Sequence, residues 1–183
     1  MSTKPILNNK TFIVVCLFLL TLTFILIEYF KGGVITHHLL AREDLPGISN
    51  WWGLLTVPVL GLLSVHFIDK RRNKLIKSEA ININYFDSKI LRSFLFALLF
   101  GSIASLLWEF GQAEILQYYI LLPILIAFFK PVHFTEYLLG FVVGMLYTFG
   151  GILPILIGTV SLIICFIMHK LINLIIGLFT KAK

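Results

Sequence analysis

The chain has 183 residues, of which 58% are hydrophobic and only 13% charged, and 17 of them are phenylalanine. Ordinary soluble domains carry about a quarter charged residues, so this composition, with a mean hydropathy of +0.96, argues against a water-soluble fold. The formal charge of +6 would suit nucleic acid, but the basic residues cluster beside apolar runs as a topology signal does, so no nucleic-acid partner is expected.

Lys4 and Lys10 precede an apolar run, Thr11–Ile27, that is long enough to cross a bilayer and is followed by no small-residue cleavage site. It reads as a retained first span over 11–29. The longest polar connection on the expected outer face follows at 31–50, with His37-His38, Arg42-Glu43-Asp44 and Pro46-Gly47, before Trp51-Trp52 opens a second span over 51–68. Pro58 lies inside that span, where membrane helices tolerate proline. A basic loop over 69–89 comes next; Lys70, Arg71, Arg72, Lys74, Lys77 and Lys89, with Arg92 just beyond, form the strongest topological signal in the chain.

A third span is expected over 90–108, with Ala97, Gly101 and Ser105 recurring every four residues, a face that another helix can approach closely. Further spans are expected over 115–129, ended by Pro131; over 137–149, with Gly140 and Gly144 on one face; and over 152–168, after Gly150-Gly151 and Pro154. The apolar stretch 171–179 either prolongs the last helix or lies along the interface. With both termini inside, the inner segments hold nine more basic than acidic residues and the outer ones three more acidic than basic, which together return the formal +6.

The expected fold is therefore an all-α integral membrane protein, a single domain over 1–183 forming a bundle of six transmembrane helices with cytoplasmic N and C termini. A bacterial cytoplasmic (inner) membrane is the natural setting. Cys16 and Cys165 both sit in apolar runs with no CxxC spacing, so buried, unreactive thiols are expected rather than a disulfide.

Chemistry concentrates at the outer face. His37, His38 and Asp44 combine imidazole and carboxylate, which suit zinc or another divalent ion, although the helical HExxH spacing is absent. The plainer expectation for this stretch is an interfacial helix with solvated histidines and with Leu39 and Leu40 toward lipid. Pro46-Gly47 fits the centre of a type II turn, and Ser49 or Asn50 would cap the second span. Asn50, Trp51 and Trp52, with Glu109 and Gln112 at the end of the third span, would line an outward-facing cavity under the 31–53 loop, since polar groups at membrane depth mark sites. His66 is expected to be a packing histidine. No P-loop, dinucleotide fingerprint or G-x-S-x-G context occurs.

The leading expectation is recognition or transport of a small solute through that outer cavity. Six short helices with both ends inside resemble, in architecture, the substrate-binding subunits of energy-coupling vitamin transporters. The resemblance implies a cytoplasmic partner meeting the basic loop, which could equally bind anionic headgroups. The first span departs from it in lacking small residues along one face. The alternatives are a metal-assisted hydrolase or transferase acting on a lipid-borne substrate, with His37, His38, Asp44 and Glu109 as ligands and general base, and a structural protein packing with partner subunits through the two small-residue faces.

Overall fold

The computed structural model describes residues 10–38, 44, 46–78 and 83–181. Leu39, Leu40, Arg42 and Glu43 of the outer loop, together with Lys4, Glu79 and Lys183 of the charge pattern, lie outside the described residues. In order, the chain forms α1 (Lys10–Lys31), β1 (Thr36–His38), β2 (Gly47–Ser49), a 3-10 turn (Asn50–Trp52), α2 (Gly53–Lys77), α3 (Ile83–Glu109), α4 (Ala113–Tyr119), α5 (Leu122–Ala127), α6 (Thr135–Phe149) and α7 (Ile152–Lys181).

Four segments are long and apolar enough to cross a membrane: Lys10–Lys31, Asn50–Lys77, Tyr85–Glu109 and Ile152–Leu178. Their outward faces carry side chains such as Leu55, Leu99 and Val160, each more than half exposed. So many large apolar side chains open at the surface are uncommon on monomeric soluble proteins.

Several boundaries differ from the sequence expectation. α2 runs on to Lys77, because Lys and Arg are good helix formers and nothing in 69–77 stops the ladder. α7 likewise continues through 171–179 as one helix. The segment expected as a fourth span is broken at Ile120–Leu121 into α4 and α5. Pro123, in the first turn of α5, has no amide to continue an α-helical ladder. The joint is closed by a tighter bond from the Leu121 amide to the Tyr118 carbonyl at 3.1 Å. α6 has 15 residues, about 22 Å at about 1.5 Å per residue, short of a hydrocarbon core of about 30 Å.

α6 is nevertheless the centre of the bundle. One side, Leu139, Val142 and Leu146, packs against Leu17 of α1 and Val57 and Leu60 of α2. The other side meets α3 through small residues. A Cβ on Gly140 would lie 2.3 Å from the Phe94 carbonyl oxygen, and one on Gly144 would lie 2.4 Å from that of Leu98. Ser105 Oγ donates to the Gly144 carbonyl at 3.2 Å. The two faces noted in the sequence thus pack on each other within the chain.

At one end of the bundle Lys10 pairs with Asp69 at 2.9 Å, Arg72 with Asp87 at 3.2 Å, and Arg71 with the buried Glu136. The hairpin occupies the other end. Cys165 is buried and Cys16 is exposed on α1; both are free thiols, so the expectation of two buried thiols holds for Cys165 alone. His66 is exposed on α2 with its ring edge against Phe67, rather than packed inside the bundle.

Candidate functional site: a buried carboxylate beneath the hairpin

The loop after α1 is a short antiparallel hairpin, with Thr36 opposite Ser49, His37 opposite Ile48 and His38 opposite Gly47. This corrects the expected interfacial helix and adds a small β element to an otherwise helical fold. Pairing satisfies the backbone groups of a segment rich in β-branched and turn-forming residues. The chain reverses after α1 at Gly32 and Gly33, whose φ of +136° and +122° suit glycine. Gly47 is a strand residue without positive φ, so Pro46-Gly47 is not the centre of a type II turn. Gly47 is needed for closeness instead: a Cβ there would sit 2.8 Å from Thr36 Cγ2 and 3.2 Å from the His38 ring.

Beneath the hairpin lies Glu28, in the last turn of α1 and only 7% exposed. Its two carboxylate oxygens have separate donors: Asn50 Nδ2 at 2.8 Å and the Ile35 amide at 3.2 Å. The Asn50 amide in turn donates to the Ile35 carbonyl at 3.0 Å, which fixes the start of α2 to the hairpin. Asn50 also presses on the α6–α7 turn. Gly150 there has φ +65°, and a Cβ on it would overlap the Asn50 side chain. Ser49 caps the 3-10 turn, its Oγ accepting from the Trp51 amide at 3.5 Å.

His37 completes the cluster. Successive strand residues face opposite sides, and His37 turns toward the end of α6, its ring 5.8 Å from that of Phe149. Burial lowers its pKa from the usual imidazole value, opposed by the nearby Glu28 carboxylate and by a hydrogen bond to the Thr148 backbone. The ring is therefore predominantly neutral at pH 7. His37 Nε2 and Thr148 Oγ1 are both buried and have no hydrogen-bond partner among the described residues. Buried polar atoms are normally satisfied, so the His37 ring nitrogen and the Thr148 hydroxyl are left facing an unfilled role, with the satisfied Glu28 carboxylate near the His37 ring. At the rim Lys31 Nζ donates to the Tyr147 hydroxyl at 3.2 Å, and Trp108 packs 5.2 Å from Phe149.

Of the residues singled out in the sequence, the structure brings His37 and Asn50 into this cluster. His38 faces the other side of the hairpin, its ring over Gly47, and Asp44 is exposed in the connection. Trp51 and Trp52 stand about half exposed on the outside of the 3-10 turn. Glu109 and Gln112 are exposed around the α3–α4 turn. Among the described residues no three His, Cys, Asp or Glu side chains gather in a metal-holding group. Glu28 and Thr148 were missed as site residues. The available signal for Glu28 was a carboxylate one turn inside the end of an otherwise apolar helix.

The fold and this cluster define a class: a mostly helical chain with four potential membrane-crossing helices and a buried polar site at one end. No protein-family model matches the chain, and no curated protein or solved structure matches it either.

Proposed function

We propose that the chain is a multi-pass membrane protein that recognises, and as a transporter or its binding subunit admits, a small solute at the hairpin end. In this reading α4–α5 and α6 complete six passes, and both termini and the basic end of α2 face the cytoplasm. The hairpin end then faces outward, in the membrane of a bacterial-type cell.

One observation carries the proposal: the Glu28 carboxylate is buried close to the His37 ring, and His37 Nε2 and Thr148 Oγ1 are buried with no hydrogen-bond partner among the described residues. A carboxylate is expensive to bury, and this one is already held by Asn50 and the Ile35 amide, so the remaining polar groups favour a ligand rich in donors. A small amine or other cationic solute meets that description; an anion does not. The interior helix faces do not favour the structural alternative, because the two small-residue faces are occupied by each other. The metal-assisted hydrolase or transferase gains no support from the opposed directions of His37 and His38.

The test is a thermal-shift screen of the detergent-purified protein against small amines, zwitterions and carboxylates, with metal content measured on the same preparation. Stabilisation by an amine class that is lost in both Glu28→Gln and His37→Asn supports the reading. Stabilisation only by carboxylates overturns it, as does stoichiometric zinc lost with His37 and His38, which would support the enzyme alternative.

A further inference from the structure

The second unassigned feature lies away from the hairpin. Between α3, α5 and α7, over one face of α6, is a half-enclosed cavity of about 160 Å³. Phe100, Ile126, Tyr137, Phe141, Gly158 and Leu162 contribute to a lining that is almost wholly apolar. A lining this apolar offers water few hydrogen-bond partners and suits an apolar guest. Its flanks are apolar too: Phe96 is 70% exposed and Phe129 is 87% exposed.

Toward the basic end the surroundings change sharply. Val132 and Cys165 line the cavity. His133 follows Val132 directly, and His169 lies one helical turn beyond Cys165 on α7. The two imidazoles are 5.6 Å apart. His169 Nδ1 is 3.2 Å from the Ala127 carbonyl, whereas His133 Nδ1 is buried and has no hydrogen-bond partner among the described residues. The Phe166 ring lies 5.2 Å from His133 and 6.0 Å from Lys170 Nζ. Arg71 stacks 4.3 Å over Phe134 and pairs with Glu136, the acidic group of this cluster.

An apolar slot with imidazoles and cations within one turn of its lining matches the chemistry of an amphiphile with an anionic head. We infer that this site holds an anionic phospholipid of the cytoplasmic leaflet, one acyl chain in the cavity and the phosphodiester against His133, His169 and Lys170. Basic pockets between helices on that side are suited to such headgroups. The inference rests on the membrane-spanning reading above and is independent of the hairpin site.

The test uses the full chain in detergent, with native mass spectrometry and melting temperature read after adding phosphatidylglycerol, phosphatidylcholine or inorganic phosphate. Phosphatidylglycerol should remain bound at least tenfold more than phosphatidylcholine and should raise Tm. His133→Gln combined with His169→Gln should abolish that preference while both lipids still bind. Ser161→Leu, which fills the cavity, should weaken both. Equal retention of the two lipids by the unaltered protein overturns the inference, and so does an equal Tm rise with inorganic phosphate, which would mark a phosphate site without a tail. Unchanged selectivity in the double histidine variant also overturns it, and that variant keeps the test decisive if Ser161→Leu does not fold. A chain that stays soluble without detergent would instead overturn the membrane reading itself.

Discussion

Asn50 joins four parts of the molecule at once: α1 through Glu28, the hairpin through Ile35, the start of α2 through its own backbone, and the α6–α7 turn through Gly150. Asn50→Ala leaves a Glu28 oxygen buried without its donor. A hydrogen bond to a charged group is worth about 1.5–3 kcal/mol, so we expect a loss of that order, read from unfolding in detergent. Glu28→Gln in the same background should recover part of it, because the uncompensated charge is then gone. The coupling between the two sites in a double-mutant cycle is the decisive quantity.

His37 and His133 both have pKa values lowered by burial. A histidine whose folded pKa lies below its unfolded value takes up fewer protons when folded. No difference exists well above pH 6.5; as pH falls from there toward the folded pKa, the unfolded chain binds the extra proton and stability declines, levelling off below the folded pKa. We therefore expect Tm to fall on acidification from pH 7 toward pH 5. Each of His37→Asn and His133→Gln should flatten part of that slope. A Tm independent of pH over this window would show that neither burial matters energetically.

The contact between α3 and α6 depends on the absence of side chains. Gly140 and Gly144 face backbone carbonyls of α3, which cannot rotate aside, so the helices must separate to admit even a methyl group. Gly144→Ala should cost about 1–3 kcal/mol, the usual range for overpacking. Gly177→Ala on α7 is the control: nothing lies within 4 Å of its added Cβ, and removing a mid-helix glycine should stabilise by about 0.5–1 kcal/mol. The ion pair of α2 with α6 belongs to the same level. Arg71→Ala strands Glu136, which is 4% exposed, and breaking a buried pair in this way costs about 3–5 kcal/mol. Glu136→Gln should cost less, since arginine has an exposed route to water.

For the molecule as a whole, orientation is the property to measure. In a Cys16→Ser, Cys165→Ser background, Asp44→Cys should react with an impermeant maleimide on intact cells, and Lys74→Cys only after lysis. The reverse pattern would invert the protein and place the buried Glu28 cluster on the cytoplasmic side. Labelling of both without lysis would break the six-pass arrangement.

Much of this architecture is legible in the chain because it is local. Apolar runs long enough to span a bilayer, the cations after residue 69 and the four-residue repeats of small residues in α3 and α6 each lie within a single segment, and their physical meaning does not depend on what else is nearby. Pro123, by contrast, breaks a run that reads as one span by hydropathy alone, since hydropathy carries no hydrogen-bond information. His37 and His38 look alike in sequence; only the strand register, with its alternation of faces, sends one toward Thr148 and the other over Gly47. Glu28 and Asn50 are 22 positions apart, and Thr148 comes from a different helix altogether, so no spacing rule unites them. The sequence by itself determined which segments are long and apolar enough to cross a membrane and the faces along which α3 and α6 approach. Which polar groups lose access to water was decided by tertiary structure alone, because burial is a property of the packed hairpin, α1, α2 and α6 together.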